Sequence, residues 1–182
     1  MTLFHFSEDP GIVRFAPRAV RVPSRRPPGR EWLNGPLVWA IDSAHQALYL
    51  FPRDCPRILI WPVTSTTVKD RARWFPGPST RMIAHIEQAW MDRVRSGHIH
   101  RYALPDETFE SLDDAGMWVS RKTVSPTSME PITDLPGALA EQGVELRVLA
   151  DFASLAGIWD TSLHASGIRL RNASGWGHSD TP

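Results

Sequence analysis

The chain has 182 residues, 42% of them hydrophobic and 22% charged, proportions that exclude wholesale disorder and a fibrous repeat. Twenty basic residues balance twenty acidic ones, so no global charge draws the chain to nucleic acid. No apolar run reaches the length of a membrane span, and a single cysteine, Cys55, excludes an intrachain disulfide and a cysteine-rich zinc site. The opening residues lack a basic region followed by an apolar one, so a cytoplasmic protein is expected.

Sixteen prolines and twelve glycines cut the chain into short elements, which predicts an α+β fold in one domain over residues 1–176. Short mixed or antiparallel sheets flanked by helices are expected, with a frayed tail at 177–182. Residues 3–6 read as a first strand closed by the turn formers Ser7-Glu8-Asp9-Pro10-Gly11. Residues 13–30 hold four prolines and read as a long ordered loop. A strand at 37–41 follows, and Asp42 or Ser43 is placed to cap a short helix that Pro52 stops.

Residues 57–61 form an apolar strand between prolines. Met82, Ile83, Ile86, Ala89, Trp90 and Val94 follow a helical stripe, with Ser79 at the N-cap and Gly97 at the C-terminal end, so a core helix is predicted over 79–97. Strands at 99–104, 117–120, 123–132 and 144–149 are predicted, with a turn or helix at 105–112 and helices at 134–142 and 151–159. Arg169 and Arg171 alternate on what reads as a final strand, sharing one face.

Charge is unevenly placed. Between residues 10 and 30 there are six arginines and no acid, whereas 106–145 holds nine acids against Arg121 and Lys122, a net of −7. The basic stretch faces an anion, pairs with the acidic half or coats solvent. Eighteen of the twenty cations are arginine, whose planar fork suits bidentate contact with phosphate or carboxylate.

Phosphate-binding glycine loops, the G-x-S-x-G elbow and H-E-x-x-H are all absent. His98 and His100, two apart on a strand, are read as a solvated face rather than as two ligands of a metal. Asp113-Asp114 before Ala-Gly reads first as a turn. Cys55 has no local base or helix N-terminus to activate it, so an inert thiol is expected. Most of the eight tryptophans belong to the core, Trp90 among them, while Trp32, Trp39 and Trp118 adjoin polar punctuation.

Leu3-Phe4-His5-Phe6-Ser7, then Phe15-x-Pro17, then Val38-Trp39-Ala40-Ile41-Asp42 before an alanine-containing helix together resemble the first half of ADP-ribosyltransferase-like domains. In that superfamily a first-strand histidine, with a hydroxyl nearby, bonds the NAD ribose, and a second-strand aromatic stacks on nicotinamide. The resemblance implies these roles for His5, Ser7 and Trp39, with Tyr49 nearby. It also implies NAD as substrate, no metal, and a pyrophosphate held by Arg18, Arg21, Arg26 and Arg30.

Trp118-Val119-Ser120 resembles the superfamily's third region, in which a glutamate precedes W-x-S and holds the acceptor and the ribose. Here that position is Met117. Either Glu110, Asp113 or Asp114 replaces the glutamate, or the site binds a nucleotide or other anionic small molecule without transfer. An enzyme processing a 2′-phosphate on RNA is a third implication, carried by His5 and the arginines. On the binding reading, Arg169 and Arg171 add to the anion site or pair with acids of the C-terminal half.

At finer grain, L-F-H-F-S-E-D-P at the start, G-M-W-V-S at 116–120 and L-H-A-S-G-I-R-L-R-N-A at 163–173 make the whole chain resemble one bacterial family of hypothetical proteins.

Overall fold

The computed structural model describes residues 1–75, 77, 79–174 and 176. The protein is α+β, as its punctuation predicts, and its chain forms two compact units that are each discontinuous in sequence. Among the described residues, the first unit comprises 1–49 and 99–132, the second 50–98 and 133–176. The expected tail at 177–182 lies outside the described residues. Among the described residues no helix is long and apolar enough to cross a membrane.

In the first unit, β1 (Thr2–Ser7), β2 (Val38–Ile41), β5 (Ile99–Pro105), β6 (Glu110–Ser111), β7 (Met117–Ser120) and β8 (Ser128–Ile132) build an antiparallel sheet in the order β6-β7-β2-β1-β5-β8. Strand alternation divides its side chains between two faces. Leu3, Phe15, Val38, Ala40, Tyr102, Leu104 and Val124 form the core of one face. Leu33, Leu37, Leu112 and Val119 form that of the other, with Trp39 and Met117 packed against them. Phe15 and Val124 exchange both backbone hydrogen bonds, which ties the proline-rich loop to the sheet. The predicted strand at 123–132 begins only at Ser128, because Pro126 interrupts it.

The second unit is a four-stranded sheet in the order β10-β3-β4-β9, from β10 (His164–Ile168), β3 (Arg57–Trp61), β4 (Met82–Glu87) and β9 (Val144–Leu149). Its helices are α1 (Val68–Trp74), α2 (Met91–Ser96) and α3 (Leu135–Glu141). α3 matches the prediction, with the Asp134 side chain accepting from Gly137 N.

The core helix predicted over 79–97 is not formed. Residues 82–87 are strand β4, antiparallel to β3 and parallel to β9, and only Met91–Ser96 is α-helical. All six residues of β4 are buried, so both faces are covered, apolar residues fall on each, and the strand's own period of two vanishes. Trp90 is half-buried, with the Arg93 guanidinium 4.8 Å from its ring centroid, rather than core.

Two further predictions change. The helix expected at 151–159 is two 3-10 turns, Ala153–Leu155 and Ile158–Asp160, with Asp151 bonded to Ala153 N at the start and Gly157 between them. The last strand stops at Ile168, and Arg169, at φ 58°, leads into a 3-10 turn. Arg169 and Arg171 therefore share no strand face, and Arg169 donates to the Arg53 carbonyl.

Candidate nucleotide-binding slot

β1 and β2 are paired only at Phe4 and Ile41. Beside that single pair lies a cavity of about 70 Å³, lined by Phe4, His5, Phe6, Trp39, Ala40, Ile41, Tyr49 and Met117. This is room for about two waters, or for the edge of one flat ring. Its walls are chiefly aromatic and aliphatic, and Met117 is an unbranched thioether that yields to an entering group.

His5 closes the gap between the strands. Its Nδ1 lies 2.8 Å from the Trp39 carbonyl, and since a carbonyl only accepts, Nδ1 carries the proton. The imidazole leans on Phe15, 4.6 Å between ring centroids, and so takes the face of Leu3 and Tyr102. The Trp39 indole takes the opposite face, where the Tyr49 ring stacks on Phe6 at 6.4 Å and the Tyr49 hydroxyl reaches Met117 Sδ at 3.6 Å. His5 and Trp39, to which the resemblance gives ribose and nicotinamide, thus turn their side chains to opposite faces of the sheet.

Two arginines flank the aromatic side. Arg26 lies over the Trp39 ring at 5.7 Å and its Nε donates to Asn34 Oδ1. Arg101 lies over Phe4 at 4.9 Å, bonded to Gln46 Oε1 at 2.6 Å and paired with Glu130. Trp39 Nε1 is buried and donates to no described residue. A buried donor without an acceptor costs about 1–3 kcal/mol, so this one calls for a partner.

Of the residues singled out by sequence, His5, Trp39 and Tyr49 border the cavity together. Ser7 instead accepts from Asp9 N in the first turn. Ser120 is buried and bonded to Thr108 Oγ1 and Lys122 N. Trp118 packs against the Leu3 core on the other face from Met117. Arg18, Arg21 and Arg30 are exposed on the loop, and Arg30 donates to the Leu112 carbonyl. The three candidate carboxylates are all exposed and none lines the cavity: Glu110 pairs with Arg121, Asp113 bonds Ser111, and Asp114 lies in the following turn.

Sequence reasoning missed an acid and base beside the cavity. Asp42 Oδ1 accepts from both His45 N and His45 Nδ1, at 2.8 and 2.9 Å. The pair sits where the wall residues Ile41 and Met117 pass into Asp42 and Gly116, whose backbones are bonded at 2.9 Å. The approaching turn is strained, with positive φ at Asp113, Ala115 and Gly116, a backbone state that clusters at functional sites. The signal was the i,i+3 spacing of Asp42 and His45, read only as a helix cap.

Elsewhere, His98 is exposed but His100 is buried, not solvated. No group of three or more His, Cys, Asp or Glu side chains is placed to hold a metal among the described residues. Cys55 is fully buried, and burial pushes its thiol up to about 12, so it is a protonated, enclosed thiol at neutral pH.

Residues 4–173 match a family described as Family of unknown function (DUF6886). No curated protein and no solved structure matches the chain.

Proposed function

The chain belongs to the family of unknown function DUF6886, and from the geometry of its first unit we propose that it binds a nucleotide, NAD foremost, with a flat ring seated against Trp39. The observation that carries this reading is an aromatic slot walled by Trp39, whose Nε1 is buried without an acceptor. A carboxamide or ring carbonyl supplies the acceptor that the indole lacks, and Tyr49, Phe6 and Met117 supply apolar contact. Arg26, already over the Trp39 ring, is placed to meet a phosphate through charge-assisted hydrogen bonds. The fold we propose for this purpose is ADP-ribosyltransferase-like, on the motifs around His5 and Trp39.

Trp39→Phe keeps a ring and removes the donor. It is expected to leave unfolding stability within about 1 kcal/mol of the parent while NAD affinity falls about fivefold to tenfold. Tyr49→Ala is expected to weaken binding by about tenfold. Equal affinity in both variants, measured by quenching of tryptophan fluorescence, rejects the slot.

Transfer of the ADP-ribosyl type is the second reading, and Asp42 favours it. With Met117 at the superfamily's glutamate position and the other candidate acids exposed, Asp42 is the carboxylate held at that corner, paired to a histidine. Nicotinamide release that disappears in Asp42→Asn, with NAD binding retained, supports transfer. Binding without release supports a nucleotide-binding protein.

A further inference from the structure

A second concentration of chemistry lies on the proline-rich segment 14–30, and we infer that this segment is a landing surface for single-stranded nucleic acid. It carries Arg14, Arg18, Arg21, Arg25, Arg26 and Arg30 with no acid between them. None of the six forms an ion pair with a described residue, and all but Arg26 are exposed. Pairing with the acidic half, one of the three readings of this charge, is therefore not what the structure displays. Like charges along one segment repel one another, and a polyanion relieves that repulsion.

The segment is ordered rather than a loose tail. Arg18 and Leu37 exchange backbone hydrogen bonds, Val20 N donates to the Asn34 carbonyl, and Arg30 N donates to the Pro27 carbonyl. The Asn34 side chain accepts from Ser24 N and Arg26 Nε and donates to the Ser24 carbonyl. Four prolines fix φ along it. The guanidinium groups thus start from a backbone already in place, which lowers the entropy lost on binding.

Aromatic surface adjoins this charge. Trp32, next to the segment's end, remains 39% exposed with Arg121 over its ring at 4.6 Å. An exposed indole beside cations is the combination that stacks a base while arginines track the phosphates. Among its described residues the first unit has no α-helix to enter a major groove, which favours a single strand over a duplex. Trp32 neither lines the Trp39 slot nor belongs to the arginines given to the pyrophosphate, so base stacking on it is tested apart from the nucleotide proposal.

The test is fluorescence anisotropy of a labelled single-stranded oligouridylate and oligothymidylate with the full chain. Neutralising about four to six phosphates gives a log–log salt slope near −3 to −4, a loss of about 50- to 300-fold in affinity between about 50 and 200 mM salt. Arg21→Ala with Arg25→Ala is expected to make the slope shallower by about 1.4. Trp32→Ala is expected to weaken binding about 5- to 100-fold with the slope unchanged. NAD affinity stays at the parent value in Trp32→Ala, which separates failure here from failure of the slot.

Absence of single-strand binding at about 50 mM salt overturns the inference. So does duplex binding as tight as single-strand binding with no loss in Trp32→Ala, since that is bulk charge without base stacking. Binding to vesicles of anionic phospholipid in preference to both oligomers overturns it too.

Discussion

Acidifying the protein from pH 7 to pH 4 is expected to remove about 3 kcal/mol of stability through one side chain, His85. His85 lies in the centre of the second unit's sheet, 2% exposed, with Nδ1 donating to the Ile58 carbonyl at 3.2 Å. Burial disfavours the imidazolium and brings the folded-state value down from 6.5 to about 4, and Arg147 pushes the same way while the Ile58 contact opposes. The unfolded chain therefore binds the proton more readily between those two values. The contribution is fully present above pH 6.5 and is lost as the pH falls through 4. Urea unfolding at a series of pH values checks this, with His85→Gln as the reference because an amide can still donate but cannot titrate. The parent is expected to lose about 3 kcal/mol more than the variant over that window, and parallel profiles contradict the assignment. Asp70, Asp106 and Glu145, whose carboxyls are held low chiefly by hydrogen bonds from Ser162, the N-terminus and Arg147 respectively, add losses of the same sign at lower pH. Those of Asp70 and Asp106 are common to parent and variant and cancel in the difference, whereas Glu145 feels the charge of His85 and cancels only in part.

The second large effect is at Gly116. Its φ is +69°, and an added Cβ would lie 2.4 Å from His45 Nδ1 and 2.6 Å from Asp42 Oδ1. Gly116→Ala therefore combines a left-handed backbone with an overlap that displaces the Asp42 and His45 side chains from their mutual hydrogen bond, at a cost on the order of 2–4 kcal/mol. Gly157→Ala is the control, since its Cβ meets nothing within 4 Å and its φ is −88°. That variant is expected to match the parent or gain slightly in stability. Equal urea midpoints for the parent and Gly116→Ala would show that the turn does not clasp the pair.

Much of the fold was legible because its signals were local. The strands around His5, Trp39, Ile58, Tyr102 and Val119 were bounded by turn formers, and Asp134 announced α3 with a capping side chain. Buried β4 misled because a strand covered on both faces has no alternation, and its apolar residues joined those of α2 into a false helical stripe. Helix α1 went unread for the opposite reason. None of its seven residues is buried, so it has no apolar stripe, and its only local signal was Thr67 accepting from Asp70 N.

The candidate site was legible in part. Motif cadence placed His5, Trp39 and Tyr49 together, but which face each side chain takes depends on register across the β1–β2 pair, which distant segments set. The Asp42–His45 pair gained meaning only when β7 brought Gly116 against it. The arginines of 14–30 had three readings until the pattern of ion pairs in the fold removed one.

Calorimetric titration of the purified chain with NAD, repeated on Trp39→Ala and followed by an assay for free nicotinamide, tests the central claim most directly. The account predicts one saturable site with a dissociation constant of about 100 μM or tighter, and a loss of at least about tenfold in Trp39→Ala. No binding heat up to about 5 mM NAD, or identical isotherms for the two proteins, would contradict the slot as a nucleotide site.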